Sequence, residues 1–179
     1  MGLFSKRKME VILVLAFCLA VVLLTIAYAM RRNNTVYHSW DIHFEDLSAS
    51  VVGNAKYTLP QFSNTILTNY SVLLNRPGDS ATFQFKVVNS GDLEARLSSI
   101  VKSIPVCSSD DHTMAEDICS KLIYKVLSEN GKELQEGDIL APNSSKVIKV
   151  RVEYPDLQKD YQHTVRVHNL DIDLLYHKK

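Results

Sequence analysis

The chain has 179 residues, with 20 basic and 20 acidic side chains, 46% hydrophobic residues and three cysteines. Three basic residues and one acid precede residue 31, which leaves 17 basic and 19 acidic residues beyond it, a net charge of −2. Without a clustered basic face there is no electrostatic footprint for nucleic acid, and the length suits one domain behind an apolar N-terminal segment.

From Val11 to Ala29 the chain reads VILVLAFCLAVVLLTIAYA, with no charge. Nineteen residues at about 1.5 Å each span about 29 Å as a helix, the thickness of a bilayer's hydrocarbon core. Lys6, Arg7 and Lys8 precede the segment and predict a cytoplasmic N-terminus. The expected layout is a cytoplasmic tail (residues 1–10), an uncleaved transmembrane signal anchor (11–30), a tether (31–35) and an extracytoplasmic domain (36–179). Ala27-Tyr28-Ala29 also has the small-x-small form of a signal-peptidase site, and cleavage after Ala29 would give a secreted domain instead.

Beyond the tether, Val36, His38, Trp40, Ile42 and Phe44 share one parity and polar residues take most of the other. That predicts a half-buried strand with Trp40 as a core anchor. A weaker strand is expected over 48–57, with a bend at Gly53-Asn54. Residues 65–74 read as one strand whose alternation is imperfect. Pro77-Gly78-Asp79 suits a type II turn, with Asp79 placed to accept hydrogen bonds from nearby amides. Phe83, Phe85 and Val87 then point to a core while Thr82, Gln84 and Lys86 face out. After a turn at 89–92, Ala95, Leu97, Ser99 and Val101 continue with period two.

Cys107 and Cys119 enclose SSDDHTMAEDI. Beyond a membrane segment such a pair predicts a disulfide formed in an oxidising compartment. The loop's acids (Asp110, Asp111, Glu116, Asp117) and His112 lack the spacing of a calcium-binding EF-hand loop. A solvated, partly helical loop starting near Ser109 is expected. Leu122, Tyr124 and Val126 mark a strand face. Asn130-Gly131 is a hairpin signal, with Leu134 and Ile139-Leu140 as the return. Ile148, Val150, Val152 and Tyr154 form the cleanest alternation, ended by Pro155.

In the last run, Val165 and Val167 have odd parity, whereas Leu170, Ile172, Leu174 and Tyr176 have even parity. One face cannot hold both sets, so a bulge or a sheet switch is expected near His168-Asn169. The final strand is expected to leave an edge able to donate to a neighbour by strand addition. About eight or nine short strands with Gly, Pro and Asn turns predict an all-β fold, an antiparallel β-sandwich of Ig-like or jelly-roll type, after one transmembrane helix.

The stretch LNRPGDSATFQFKVVNSGDLEARL (residues 74–97) resembles exported proteins of the camelysin and biofilm-matrix-fibre group of Gram-positive bacteria. Strands in that group read roughly "PGD…F.V.NsG…A.L". The turns RPGDS and APNSS also resemble openings of bacterial surface Ig-like modules. The resemblance implies a cell-surface β-sandwich and, for camelysin-like members, a metal-dependent peptidase activity. Where the group's mature chain starts with a Ser-Asp-x-Glu-like sequence, this chain has Arg31-Arg32-Asn33.

The residues themselves give no catalytic grouping. There is no HExxH motif, no Gly-x-Ser-x-Gly elbow, and His38, His43, His112, His163, His168 and His177 are scattered. The expected function is therefore non-enzymatic, without catalytic, metal or cofactor-binding residues and without a small-molecule substrate. A membrane-anchored module would act structurally, in adhesion or in assembly at the cell envelope, through a protein partner. The acidic loop 108–118 is the first expected recognition surface. The alternatives are a metal-dependent peptidase of camelysin type and a subunit of a pilus, fibre or secretion assembly.

Overall fold

The computed structural model describes residues 16–26, 39, 41–155 and 163–178. The chain divides into two units, Met1–Tyr37 and His38–Lys179, each considered by itself. In the first, residues 16–26 form helix α1 with exposed side chains. The Thr25 hydroxyl donates to the Val22 carbonyl at 2.8 Å, so the helix backbone satisfies this polar side chain. No helix among the described residues is long and apolar enough to cross a membrane. Val11, Ala27 and Ala29, which mark the expected anchor and its cleavage motif, lie outside the described residues, as do the tether and Trp40.

Among its described residues, the second unit is all-β apart from one helix. In chain order it contains β1 (Ile42–Val52), β2 (Lys56–Tyr57), β3 (Gln61–Ser63), β4 (Ile66–Thr68), β5 (Val72–Leu74), β6 (Ser80–Asn89), β7 (Ala95–Lys102) and β8 (Val106–Ser108). Helix α2 (His112–Lys121) follows, then β9 (Ile123–Ser128), β10 (Ile139–Leu140), β11 (Ser144–Glu153), β12 (Val165–His168) and β13 (Ile172–Lys178). One sheet has the order β1-β6-β11-β9, a second β10-β7-β13-β4-β3 and a third β2-β5-β12-β8. The named strand pairs are antiparallel.

The strands β6 and β11 sit at the centre of the first sheet because their alternation is unbroken. Phe83, Phe85 and Val87 from β6 are fully buried, and Ile148, Val150 and Val152 from β11 join them. Each such burial is worth about 1.5–3 kcal/mol. The facing layer is made jointly by the other two sheets, and a single hydrophobic cluster joins all three. Aromatic rings tie the layers together. Phe85 lies 5.7 Å from Phe62 of β3, and Phe83 lies 4.9 Å from Tyr70 and 5.6 Å from Tyr57 of β2.

The facing layer divides at a paired kink. Val167 of β12 pairs with Val72 of β5, and Ile172 of β13 pairs with Leu67 of β4, five residues on in each strand. The register is therefore kept across the boundary, and no residue is inserted. Asn69 (φ 60°) and Asn169 (φ 57°) each take a left-handed backbone at that point. One left-handed residue turns the following side chains to the other face, which explains the parity change in both strands. The sequence expectation of a sheet switch near Asn169 is met, and its bulge alternative is not. The expected single strand over 65–74 is corrected to two strands in two sheets.

Four other expectations are corrected. Residues 42–52 form one strand where two were expected, because Asp46 and Leu47 together lie opposite Phe85 in a β-bulge. In β7, Ser98 is an extra residue between Leu97, opposite Tyr176, and Ser99, opposite Leu175. Ile100 consequently packs on the core while Val101 is 50% exposed. Ile139-Leu140 pairs with β7 rather than returning along β9. The terminal strand β13 is internal to its sheet, between β7 and β4, and is not the donor edge that was expected.

Candidate functional site

The disulfide loop is built on β8 and α2. Cys107 and Cys119 are bonded, with their Cα atoms 5.7 Å apart. Asp111 caps α2, accepting a hydrogen bond from the Met114 amide at 3.2 Å, and so relieves one of the amides left open at a helix start. Ala115 and Ile118 are buried, and Ile118 belongs to the main core. The helix is thus packed down, and its polar face remains outside: Asp110, Asp111, His112 and Glu116 are exposed. Asp117 pairs with Lys121 one turn on, at 2.8 Å. Among the described residues no three His, Cys, Asp or Glu side chains gather as a metal site would require.

A larger groove, about 650 Å³, lies beside the start of β11. It forms because β9 ends at Ser128, opposite Ile148, while β11 runs on through residues 144–147. The chain curls away through Asn130 and Gly131, whose φ of 79° suits glycine. Asn130 Oδ1 accepts from the Lys132 amide at 3.0 Å and from the Ser128 hydroxyl at 2.8 Å, which locks the turn. Lys146 and Asp138 form an ion pair at 2.7 Å in the groove wall. Mixed charges and backbone suit a polar segment, and nothing in the lining is a positioned nucleophile.

The paired kink opens a third depression, about 420 Å³, between Asn69, Tyr70, His168 and Asn169. Tyr70 and Tyr124 approach hydroxyl to hydroxyl at 3.4 Å, and Tyr124 donates to the Asp171 carbonyl at 3.2 Å. Burial raises the pKa of both phenols well above their usual range. They therefore remain neutral donors.

The entry of β1 carries a cluster of another kind. The Ser90 hydroxyl donates to Asp41 Oδ2. Asp41 Oδ1 lies 3.2 Å from His43 Nδ1, and His43 Nε2 lies 2.9 Å from Glu45 Oε1. The hydrogen bond from Ser90, with a lesser contribution from His43, lowers the Asp41 pKa. The hydrogen bond to Glu45 raises the His43 pKa, with Asp41 adding and burial opposing. The cluster contains the residue types of a hydrolytic triad in another order. The hydroxyl meets a carboxylate, and the imidazole spends both nitrogens on carboxylates, so no base is aligned on the serine. The alternation Asp41, His43, Glu45 was visible as a polar strand face, but Ser90 reaches it only through the fold of the 89–92 turn.

The expected turn residues are where they were placed. Gly78 has φ 85°, as a type II turn requires after Pro77. Asp79 is 1% exposed, and its carboxylate accepts from the amides of Asn54 (3.0 Å), Asn75 (2.9 Å) and Arg76 (3.3 Å). Compared with family models, with curated proteins and with solved structures, the chain matches none.

Proposed function

We propose that this chain is a membrane-anchored extracytoplasmic β-sandwich module, of Ig-like or jelly-roll type, with a structural, adhesive or assembly role at the cell envelope. The observation that carries the reading is the disulfide between Cys107 and Cys119. Bonds of this kind persist where thiols are kept oxidised, and here one follows a charge-free segment of membrane-spanning length. Recognition would be through protein contact, on loops and strand edges held by the core.

The test is expression of the full chain in cells with a C-terminal tag. The expected result is a membrane-bound protein that resists alkaline extraction and whose tagged domain is digested by protease added to intact cells. A soluble product whose intact mass begins at Met30 would replace the anchor with a cleaved signal. A domain shielded in intact cells would overturn the topology. The peptidase alternative implied by the camelysin resemblance is tested on the same preparation: cleavage of an unfolded protein with zinc, abolished by a chelator, would replace the non-enzymatic reading.

A further inference from the structure

The strand β1 lies at the edge of its sheet and pairs with β6 alone. Its outer side changes character at the bulge. Before it lie the ionisable side chains of Asp41, His43 and Glu45, and the Phe44 amide donates outward to the Asn64 carbonyl at 3.1 Å. After it, residues 47–52 read LSASVV, without charge, proline or glycine. Val51 and Val52 are 43% and 60% exposed. No strand among the described residues pairs with this outer edge. Edges are commonly blunted by charge, proline, bulges or shortness. The bulge at Asp46 and the turn at Gly53 bound this segment without interrupting it.

The other edges are blunted. The strands β2, β3, β8 and β10 are two or three residues long. The outer side of β9 is bridged by Glu133 opposite Leu127. Of the edge strands among the described residues, β1 offers an unbridged run of the usual strand length, about five or six residues.

We propose that residues 48–52 pair antiparallel with the same segment of a second copy of this chain, joining two β1-β6-β11-β9 sheets into one. The choice of a second copy rests on charge. A two-fold axis sets a segment against itself, so any charged residue near the axis meets its own like charge. The stretch 47–52 is where β1 has none. An axis perpendicular to the sheet keeps both cores on one side of it. Residues of equal parity then face each other, and the exposed Ser50 meets the second copy's Ser50, with Ala49 opposite Val51 and Ser48 opposite Val52. This inference does not depend on the anchor.

The test uses the full chain in detergent micelles, with Cys18→Ser to remove the free thiol. Oxidation of Ser50→Cys is expected to give a disulfide-linked dimer, while Gln84→Cys, exposed on the neighbouring strand, stays uncrosslinked. Ser50→Lys and Ser50→Glu are each expected to weaken the dimer at least about tenfold in sedimentation equilibrium. Mixing the two variants is expected to restore it. Circular dichroism melting that matches the parent chain shows that each variant is folded. A parent chain that is monomeric throughout, a dimer indifferent to Ser50→Lys, or a photo-crosslink from position 50 to a different protein in membranes would each overturn the proposal.

Discussion

Asn69 and Asn169 hold the same left-handed conformation at diagonal positions of one ladder, Asn69 level with Leu170 and Asn169 level with Tyr70 by the shared register. Together they let a single ladder pass from one sheet to the next without losing a residue. Two right-handed replacements would straighten the ladder and turn Leu67 or Leu170, both fully buried, towards solvent.

A β-branched residue at a left-handed position is sterically penalised, whereas glycine is not. Asn69→Val is expected to destabilise the domain by about 1–2 kcal/mol. Asn69→Gly is expected to lie within about 0.5 kcal/mol of the parent, since the Asn69 side chain makes only an exposed hydrogen bond to Gln61. Urea unfolding of both variants measures the difference. Equal effects of valine and glycine would show that the side chain rather than the backbone matters.

Asp79 anchors the turn before β6 by accepting from three amides, one of them from Asn54 across the Gly53 turn. Asp79→Ala leaves those donors without their carboxylate, and a loss of at least about 3 kcal/mol is expected. Asp79→Asn keeps the shape and one acceptor oxygen and should lose less. At Gly53 (φ 71°) an added Cβ would fall 2.0 Å from Asp79 Oδ1, so Gly53→Ala should act on the same junction. Denaturant midpoints for the three variants check the order, and a harmless Asp79→Ala would remove the anchor role.

What the sequence disclosed depended on the range of the interaction. Phe83, Phe85 and Val87 were legible because strict alternation and two flanking turns are local signals. The kinks were legible only as faults of parity, in 65–74 and near Asn169. That the two faults are one feature needs the pairing of segments about a hundred residues apart, which no local pattern carries. Asp46 looked like a strand end because a bulge and a break both interrupt alternation. Ser98 left no trace, because Ser99 and Val101 fit an uninterrupted strand equally well. The cysteine pair was legible from chemistry alone. Ser90 and Asp41 are separated by 49 residues, and their meeting required knowing where the turn after β6 folds back.

The disulfide closes a loop of twelve residues' separation around a helix whose Ile118 is in the core. Replacing both cysteines by serine should cost about 3 kcal/mol. The loss should be local first, with faster amide hydrogen exchange in α2 than in β6 or β11. Exchange measured with and without reductant checks this. Unchanged protection of α2 would mean that Ala115 and Ile118 hold the helix without the bond.

His43 gives the domain a pH dependence of defined sign. Its folded pKa is raised above the ordinary 6.5, chiefly by the hydrogen bond to Glu45. A raised pKa contributes stability that is full below about 6.5 and is lost as pH climbs through the folded value. The ring is partly exposed, so solvent screens the effect. Asp41 acts in the opposite sense. Its lowered pKa contributes stability above about 3.8 that is lost as pH falls through the folded value. The midpoint of urea unfolding should therefore decline from pH 6.5 upward through the His43 transition, and NMR titration of the His43 ring should report a pKa above 6.5. Glu45→Gln should bring that pKa down and flatten the decline. A ring that titrates at its ordinary value in the parent chain would show that the two carboxylates do not hold it in solution.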